Sequence, residues 1–506
     1  MNNRIKNIIK VIAFLLIVAM VFTYVTNLYR SSTDVAGVDR THVVAIDNEE
    51  NLDVVYLGGS ACFMFFQPLN AWNEYGFTSY DYAVTGIEGA AMEYMIRHVE
   101  SKMDPDLYVV GVRPYEQWTL EGNIGGLREV SDSMSVWSVN RLKLIKSYFE
   151  KHDLSGVNVD IDYASYIFDI VNYHDNSDVI KTRENWQFKQ EHDYSPNKGF
   201  EWLASYQHLD TPTGWQTDKR AELLEGDEAA IRELCEFCRS KNKEVLFVVC
   251  PYYIEESHQE YFNSISDIVT EYGYNFLNAN EHYDEIGTDF AKDYYNRRHT
   301  NAYGAEKYTK YLSKYIKDNY DIKDHRGEKK YEYWNDEYVR FAEEEKEQKR
   351  LVDEIIESDL KGYEMADELK KIDNLLEWYR YTNTDRYTLF IYDNSTSNYV
   401  NLHDLSIIVD NWGINSEEKQ CYKIVNGDEI SIESVSLSDN DSTMEGIVAK
   451  DGMTNYSISS GKMVISGNDY YEDVDGFCVV AVDNNLNIVA DNIIIDASGS
   501  EAIIRR

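Results

Sequence analysis

The first apolar block, Val11 to Val25, reads VIAFLLIVAMVFTYV and carries no charge. Extended to Ile8 and Leu28 it spans about 20 residues, enough to cross a bilayer as a helix. Arg4, Lys6 and Lys10 precede it without an acidic residue, and a basic flank of this kind stays on the cytoplasmic side. No small-x-small site closes the run, so an uncleaved signal anchor is favoured over a cleaved signal peptide. Residues 1–30 are therefore expected to be flank and anchor, and the polar stretch 31–51 a stalk.

From there apolar runs too short for a helix alternate with helical patterns. Val54–Leu57, Phe77–Ala83, Leu107–Val112, Glu244–Cys250 and Tyr274–Leu277 predict strands. Between them, Gly89–Glu100 places Met92, Met95, Ile96 and Val99 on one helical face, and Glu228–Lys241 does the same with Ile231, Leu234, Cys235 and Cys238. Gln259–Tyr272 and Ala302–Asn319 are further helices, the second capped by Thr300 or Asn301. Such alternation makes an α/β fold with a doubly wound parallel sheet the expectation for residues 52–325.

Residues 120–225 interrupt the alternation with helical segments near 136–149 and 163–173 and an aromatic, polar stretch from Trp186 to Trp215. They are expected to form an insertion covering the ligand edge of the sheet, where substrates are selected. Residues 326–380 are rich in Glu and Lys and predict a helical connector, a hairpin broken near Gly362. Residues 381–506 change again. The runs YTLFIYD, LSIIVD, FCVVAVD and LNIVADNIIID between Asn, Asp and Gly turns predict a small β-rich domain, with a hairpin around Asn484-Asn485.

Composition narrows the function. With 89 acidic and 49 basic residues the net charge is −40, which repels phosphate and argues against nucleic-acid binding. The six cysteines make no disulfide framework in a chain of 506 residues. Cys235 and Cys238 have the spacing of a redox or zinc pair but no second pair, and packed free thiols are expected. Asp160, Asp162 and Asp169 are scattered acids without a calcium pattern. No metal and no cofactor is expected.

Two stretches carry candidate chemistry. In Asp53-Val54-Val55-Tyr56-Leu57-Gly58-Gly59-Ser60-Ala61 a buried strand ends in two glycines and a serine, at the strand end where open α/β sheets place ligands. Glycine suits a turn needing positive φ or a close approach. In Asp293-Tyr294-Tyr295-Asn296-Arg297-Arg298-His299-Thr300-Asn301 a histidine stands just before a helix. A serine hydroxyl is a weak nucleophile until a base takes its proton, and His299 is the best base among the eleven histidines.

Together these stretches resemble the SGNH/GDSL hydrolase superfamily, over roughly residues 50–320. The resemblance is closest to its membrane-anchored bacterial branch, which includes the teichoic acid D-alanine transfer protein and the alginate O-acetylation proteins. It implies Ser60 as nucleophile and His299 as base, with the N–H groups of Ser60 and Gly86 as oxyanion hole. The superfamily pattern has an aspartate three residues before the histidine. Here that position is Asn296, and Asp293 stands six before, so either could orient the imidazole. The third-motif asparagine is missing, and Arg113 stands near its place, to bind an anionic group or to pair with a carboxylate. Arg297 and Arg298 beside the base could attract an acidic polymer or pair with surface acids.

The implied activity is that of an extracytoplasmic acyl esterase or O-acyltransferase on a cell-surface polysaccharide or teichoic acid-like polymer. The alternative is a catalytically inactive surface protein that binds glycans or assembles an export complex with other proteins.

Overall fold

Strand β1 (Val54–Gly58) is buried along its whole length and is an inner strand of a five-stranded sheet. The computed structural model describes residues 3–29, 41–116, 124–152, 163–168, 170–171, 194–396, 399, 401–414, 419–425, 431–436, 442–448 and 454–506. Asp160, Asp162 and Asp169 lie outside the described residues. The chain divides into two compact units, Met1–Val352 and Asp353–Arg506.

In the first unit, β1 pairs in parallel with β2 (Ser79–Ala83) on one side and β3 (Leu107–Gly111) on the other. Strands β4 (Val245–Val249) and β5 (Asn275–Asn278) continue outward from β3, giving the order β2-β1-β3-β4-β5. Strands β1, β3 and β4 are apolar runs because both faces of such a sheet are covered by helices. Helices α2 (Ser60–Phe63) and α3 (Pro68–Tyr75) follow β1, and α4 (Met92–Glu100) follows β2. After them come α5 (Ile124–Ser133), α6 (Val139–Lys151) and α7 (Tyr163–Ile167). The αβ alternation resumes with α8 (Glu225–Ser240), α9 (Glu256–Glu271) and α10 (Ala302–Asn319). Helix α1 (Asn3–Tyr29) contains the apolar segment Arg4–Thr26, with mean hydropathy 2.6, and is long and apolar enough to span a membrane.

Several expectations need correction. The stalk does not reach residue 51. Thr41–Val44 and Ala45–Asn48 are short helical turns, Val43, Ala45 and Ile46 are buried in the core, and Asp47 accepts from His98 at 2.7 Å. Gly362 breaks nothing, because α11 (Glu332–Leu369) runs through it. A Cβ there would lie 2.2 Å from the Arg386 guanidinium and 3.0 Å from Leu486, so this glycine gives room for a close approach.

The second unit holds a six-stranded antiparallel sheet. Its members are β8 (Tyr387–Asp393), β9 (Gln420–Val425), β10 (Ser431–Ser436), β15 (Gly476–Asp483), β16 (Ile488–Asp496) and β17 (Ile503–Arg505), ordered β10-β9-β8-β15-β16-β17. The hairpin expected around Asn484-Asn485 joins β15 to β16. Alternation along β8 and β15 sorts side chains between two cores. Leu389, Ile391, Val479 and Ala481 pack with α12 (Leu375–Thr382) and α13 (His403–Trp412). Phe390, Tyr392, Cys478 and Val480 pack against a four-stranded sheet of β11 (Met444–Ile447), β12 (Asn455–Ser459), β13 (Lys462–Ile465) and β14 (Asn468–Asp469). The run LSIIVD, read as a strand, lies in α13. Leu405, Ile408, Val409 and Trp412 form its buried stripe, and Gly413 ends it with φ +70°.

Candidate functional site

In the order β2-β1-β3-β4-β5, successive connections leave β1 in opposite directions, so a crevice opens at the carboxyl ends of β1 and β3. Ser60 emerges from β1 on one side of it and Arg113 follows β3 on the other. Neither Gly58 nor Gly59 adopts the left-handed conformation expected of this turn, and Gly59 is extended with φ −95°. Space explains Gly58 instead, since a Cβ there would sit 3.0 Å from the Cys62 Cβ. Ser60 then starts a single helical turn, with Cys62 N–H donating to the Gly59 carbonyl at 2.8 Å.

His299 arrives on a hairpin. Strand β6 (Tyr294–Asn296) pairs antiparallel with β7 (His299–Thr300), and Asn296 stands directly opposite His299 across a two-residue turn. Both carbonyls of that turn are held. Tyr253 N–H donates to Arg297 O at 3.0 Å, and Arg113 Nη1 donates to Arg298 O at 2.9 Å. Ser60 Oγ and His299 Nε2 are brought to 2.8 Å from each other, although 239 positions separate them in the chain.

Asn296 decides which imidazole nitrogen carries the proton. Its Oδ1 accepts from the Arg298 N–H at 2.8 Å and the His299 N–H at 2.9 Å, and lies 3.2 Å from His299 Nδ1. An oxygen already accepting two backbone donors can only accept from the ring, so Nδ1 is the protonated nitrogen and Nε2 has a free lone pair toward Ser60. Burial, with the positive charges of Arg113 and Arg298, pushes the His299 pKa down to about 4. The imidazole is thus neutral at pH 7.

Asp293 is elsewhere. The register slips between Tyr294 and Asn296, and the Asp293 carboxylate turns under α10 to pair with Lys307 Nζ at 2.7 Å and to accept the Asp289 N–H at 2.7 Å. Burial raises its pKa, opposed by Lys307. Lys307, the residue that engages Asp293, was not singled out in the sequence; its position about one and a half turns into the helix after His299 was the only signal.

Arg113 is buried beneath the hairpin, with its guanidinium 4.5 Å over the Tyr252 ring. Arg297 is exposed, lies 4.2 Å over Tyr253 and stands 3.7 Å from Glu255. Arg298 is exposed beside the imidazole. Gly86, at φ +64°, turns the chain after β2, where the Val84 N–H donates to the Gly58 carbonyl at 3.0 Å and holds this turn beside Ser60. Among the described residues, neither the Ser60 N–H nor the Gly86 N–H has an acceptor.

The described part of the insertion flanks both halves of the site. Glu201 N–H donates to Phe63 O at 2.8 Å, just past the serine, and Gln207 N–H donates to Tyr294 O at 2.8 Å on the histidine hairpin. Cys235 and Cys238 are buried free thiols on α8, and no group of metal-ligating side chains occurs among the described residues. No family model matches the chain, and no curated protein matches it in sequence.

Proposed function

We propose that this chain is a membrane-anchored serine acyl esterase or O-acyltransferase of the SGNH/GDSL type, working outside the cytoplasmic membrane on a cell-surface glycopolymer. The observation that carries the reading is the 2.8 Å approach of Ser60 Oγ to the unprotonated Nε2 of His299. As the Ser60 oxygen attacks an ester carbonyl, its proton passes to Nε2. The tetrahedral oxyanion faces the N–H groups of Ser60 and Gly86, a contribution of about 3 kcal/mol per donor where such a hole is complete. His299 returns the proton to the departing alcohol. Water, or a hydroxyl of the polymer, then gives its proton to His299 and attacks the acyl-serine, and His299 returns that proton to Ser60 Oγ as the bond to the acyl group breaks, releasing the acid or the transferred ester.

The anchor rests on the apolar helix and the basic residues Arg4, Lys6 and Lys10 ahead of it, which would leave the enzyme on the outer side. Arg298, exposed beside the imidazole, suits a substrate bearing carboxylate or phosphate. Asn296 in place of a carboxylate favours a second reading, a surface protein that binds glycan or export partners without turnover. A fluorophosphonate probe separates the two. Stoichiometric labelling at Ser60, lost in Ser60→Ala and His299→Ala together with p-nitrophenyl acetate hydrolysis, supports the enzyme. An unlabelled Ser60 in the folded full-length protein supports the binding protein.

A further inference from the structure

Helices α6 and α7 carry an apolar surface that faces away from the core. The inward face of α6 is Arg141, Leu144, Ile145 and Tyr148. On the outward side a water-facing helix would be polar, yet Val139 is 66% exposed and Leu142 is exposed one turn on. Trp137, 57% exposed, precedes them, and Tyr163, Phe168 and Val171 are exposed on and after α7. Lys143 and Lys146 are exposed on the same helix, in a chain whose net charge is −40.

This surface is continuous with the apolar anchor. Trp137 Nε1 donates to Thr23 Oγ1 at 2.7 Å, and Phe22 meets the rings of Trp137 and Phe168 edge-on at 6.0 and 6.1 Å. Phe22 lies four residues before the end of the apolar segment at Thr26, about 6 Å along the helix. If that segment spans the bilayer, Trp137 and Phe168 stand at the depth of the headgroup–acyl boundary, where tryptophan is enriched. Lysines beside such a patch suit anionic headgroups.

We propose that the α6–α7 surface seats in the lipid leaflet from which α1 emerges, so that the first unit rests on the membrane. The occupant is lipid. The inference depends on the anchor reading of α1. It also bears on the site, because α6 and its neighbour α5 support the Gly86 turn. Gly126 of α5 is so close that a Cβ would lie 2.8 Å from the Gly86 carbonyl, and His152, at the end of α6, is 2.9 Å from the Glu88 carboxylate. Helix α6, seated on lipid, therefore buttresses one side of the proposed oxyanion hole through His152 and Glu88.

Spin labels on single cysteines test this in full-length protein reconstituted into vesicles containing one-third phosphatidylglycerol. All six native cysteines are buried, so labels go to Phe14→Cys, Val139→Cys, Leu142→Cys and, as an exposed reference, Leu224→Cys. Seating predicts that the ratio of oxygen to nickel-chelate accessibility at 139 and 142 exceeds that at 224 severalfold, in the same direction as at Phe14. Water-like ratios at 139 and 142, with a lipid-like ratio at Phe14, overturn the seating and leave the anchor standing. A water-like ratio at Phe14 removes the anchor and the seating with it. Shielding of 139 and 142 from both reagents means that protein covers the patch, and also overturns the proposal.

Discussion

Asn296→Asp should raise the basicity of His299 and speed the reaction. The Asn296 oxygen already accepts two backbone N–H groups and faces the ring nitrogen at 3.2 Å, so a carboxylate finds its donors in place. Two unit charges about 4 Å apart interact by about 4 kcal/mol at an effective dielectric of 20. Desolvation of the new carboxylate offsets part of this, leaving a rise of about one to three pH units in the His299 midpoint. The wild-type midpoint is about 4, so its base form is complete at neutral pH and is lost only as pH falls through that value. In the variant the acid limb of kcat/KM for p-nitrophenyl acetate should move up by the same amount. At pH 8, where both bases are unprotonated, stabilisation of the transition-state imidazolium should raise kcat about tenfold to a hundredfold, which corresponds to about 1.4–2.7 kcal/mol. Rates from pH 3.5 to 9, with an NMR titration assigned by His299→Gln, measure both. An unmoved midpoint, or a variant slower than wild type at every pH, would refute the assignment of Asn296 as the residue that orients the base.

The depressed His299 also predicts a stability effect. An unfolded histidine binds a proton near pH 6.5 and the folded one only near 4, so folding loses stability as pH falls between these values, by about 1–3 kcal/mol. His299→Gln should lose less over that window in urea unfolding, and equal slopes would count against the shift. Lys307→Met should leave the Asp293 carboxylate buried without its cation, lowering stability by about 1–3 kcal/mol with a smaller effect on kcat than Asn296→Ala. The reverse order of kinetic effects would return Asp293 to the catalytic group. Gly86→Ala forces a left-handed residue at φ +64°, a strain of about 1–2 kcal/mol, and is expected to depress kcat more than KM. In the second unit, Ile408→Ala should cost about 2–4 kcal/mol and Ile407→Ala less than about 1, because only the former faces the core. Equal costs would refute the placement of Ile408 in the core and Ile407 at the surface.

The strand pattern and the apolar N-terminal segment were legible because each rests on local chemistry, whereas the pairing of Ser60 with His299 was implied by a family resemblance carried by two distant stretches. Apolar runs of strand length mark β1, β3 and β4, a span of hydrocarbon needs an uncharged run of fixed length, and Gly58-Gly59-Ser60 can occupy a strand end without help from distant residues. LSIIVD was not legible in the same way. Six apolar-rich residues satisfy both a strand and a helical stripe, and the core beneath Leu405, Ile408 and Val409 made the choice. Gly362 likewise carried no local sign that Arg386 and Leu486 approach it.

The sequence alone offered Ser60 and His299 as candidates for nucleophile and base, and showed that no carboxylate stands three residues before the histidine. It left Asn296 and Asp293 as alternatives because spacing along a chain does not say which residues face each other. Tertiary structure sets them apart in space. The hairpin register puts Asn296 opposite His299, while Lys307, reached only when α10 packs, holds Asp293 beneath the helix. The position of Arg113 likewise depends on the fold. Its charge is plain in the sequence, but its hold on the Arg298 carbonyl exists only once β3 and the hairpin meet at one edge of the sheet.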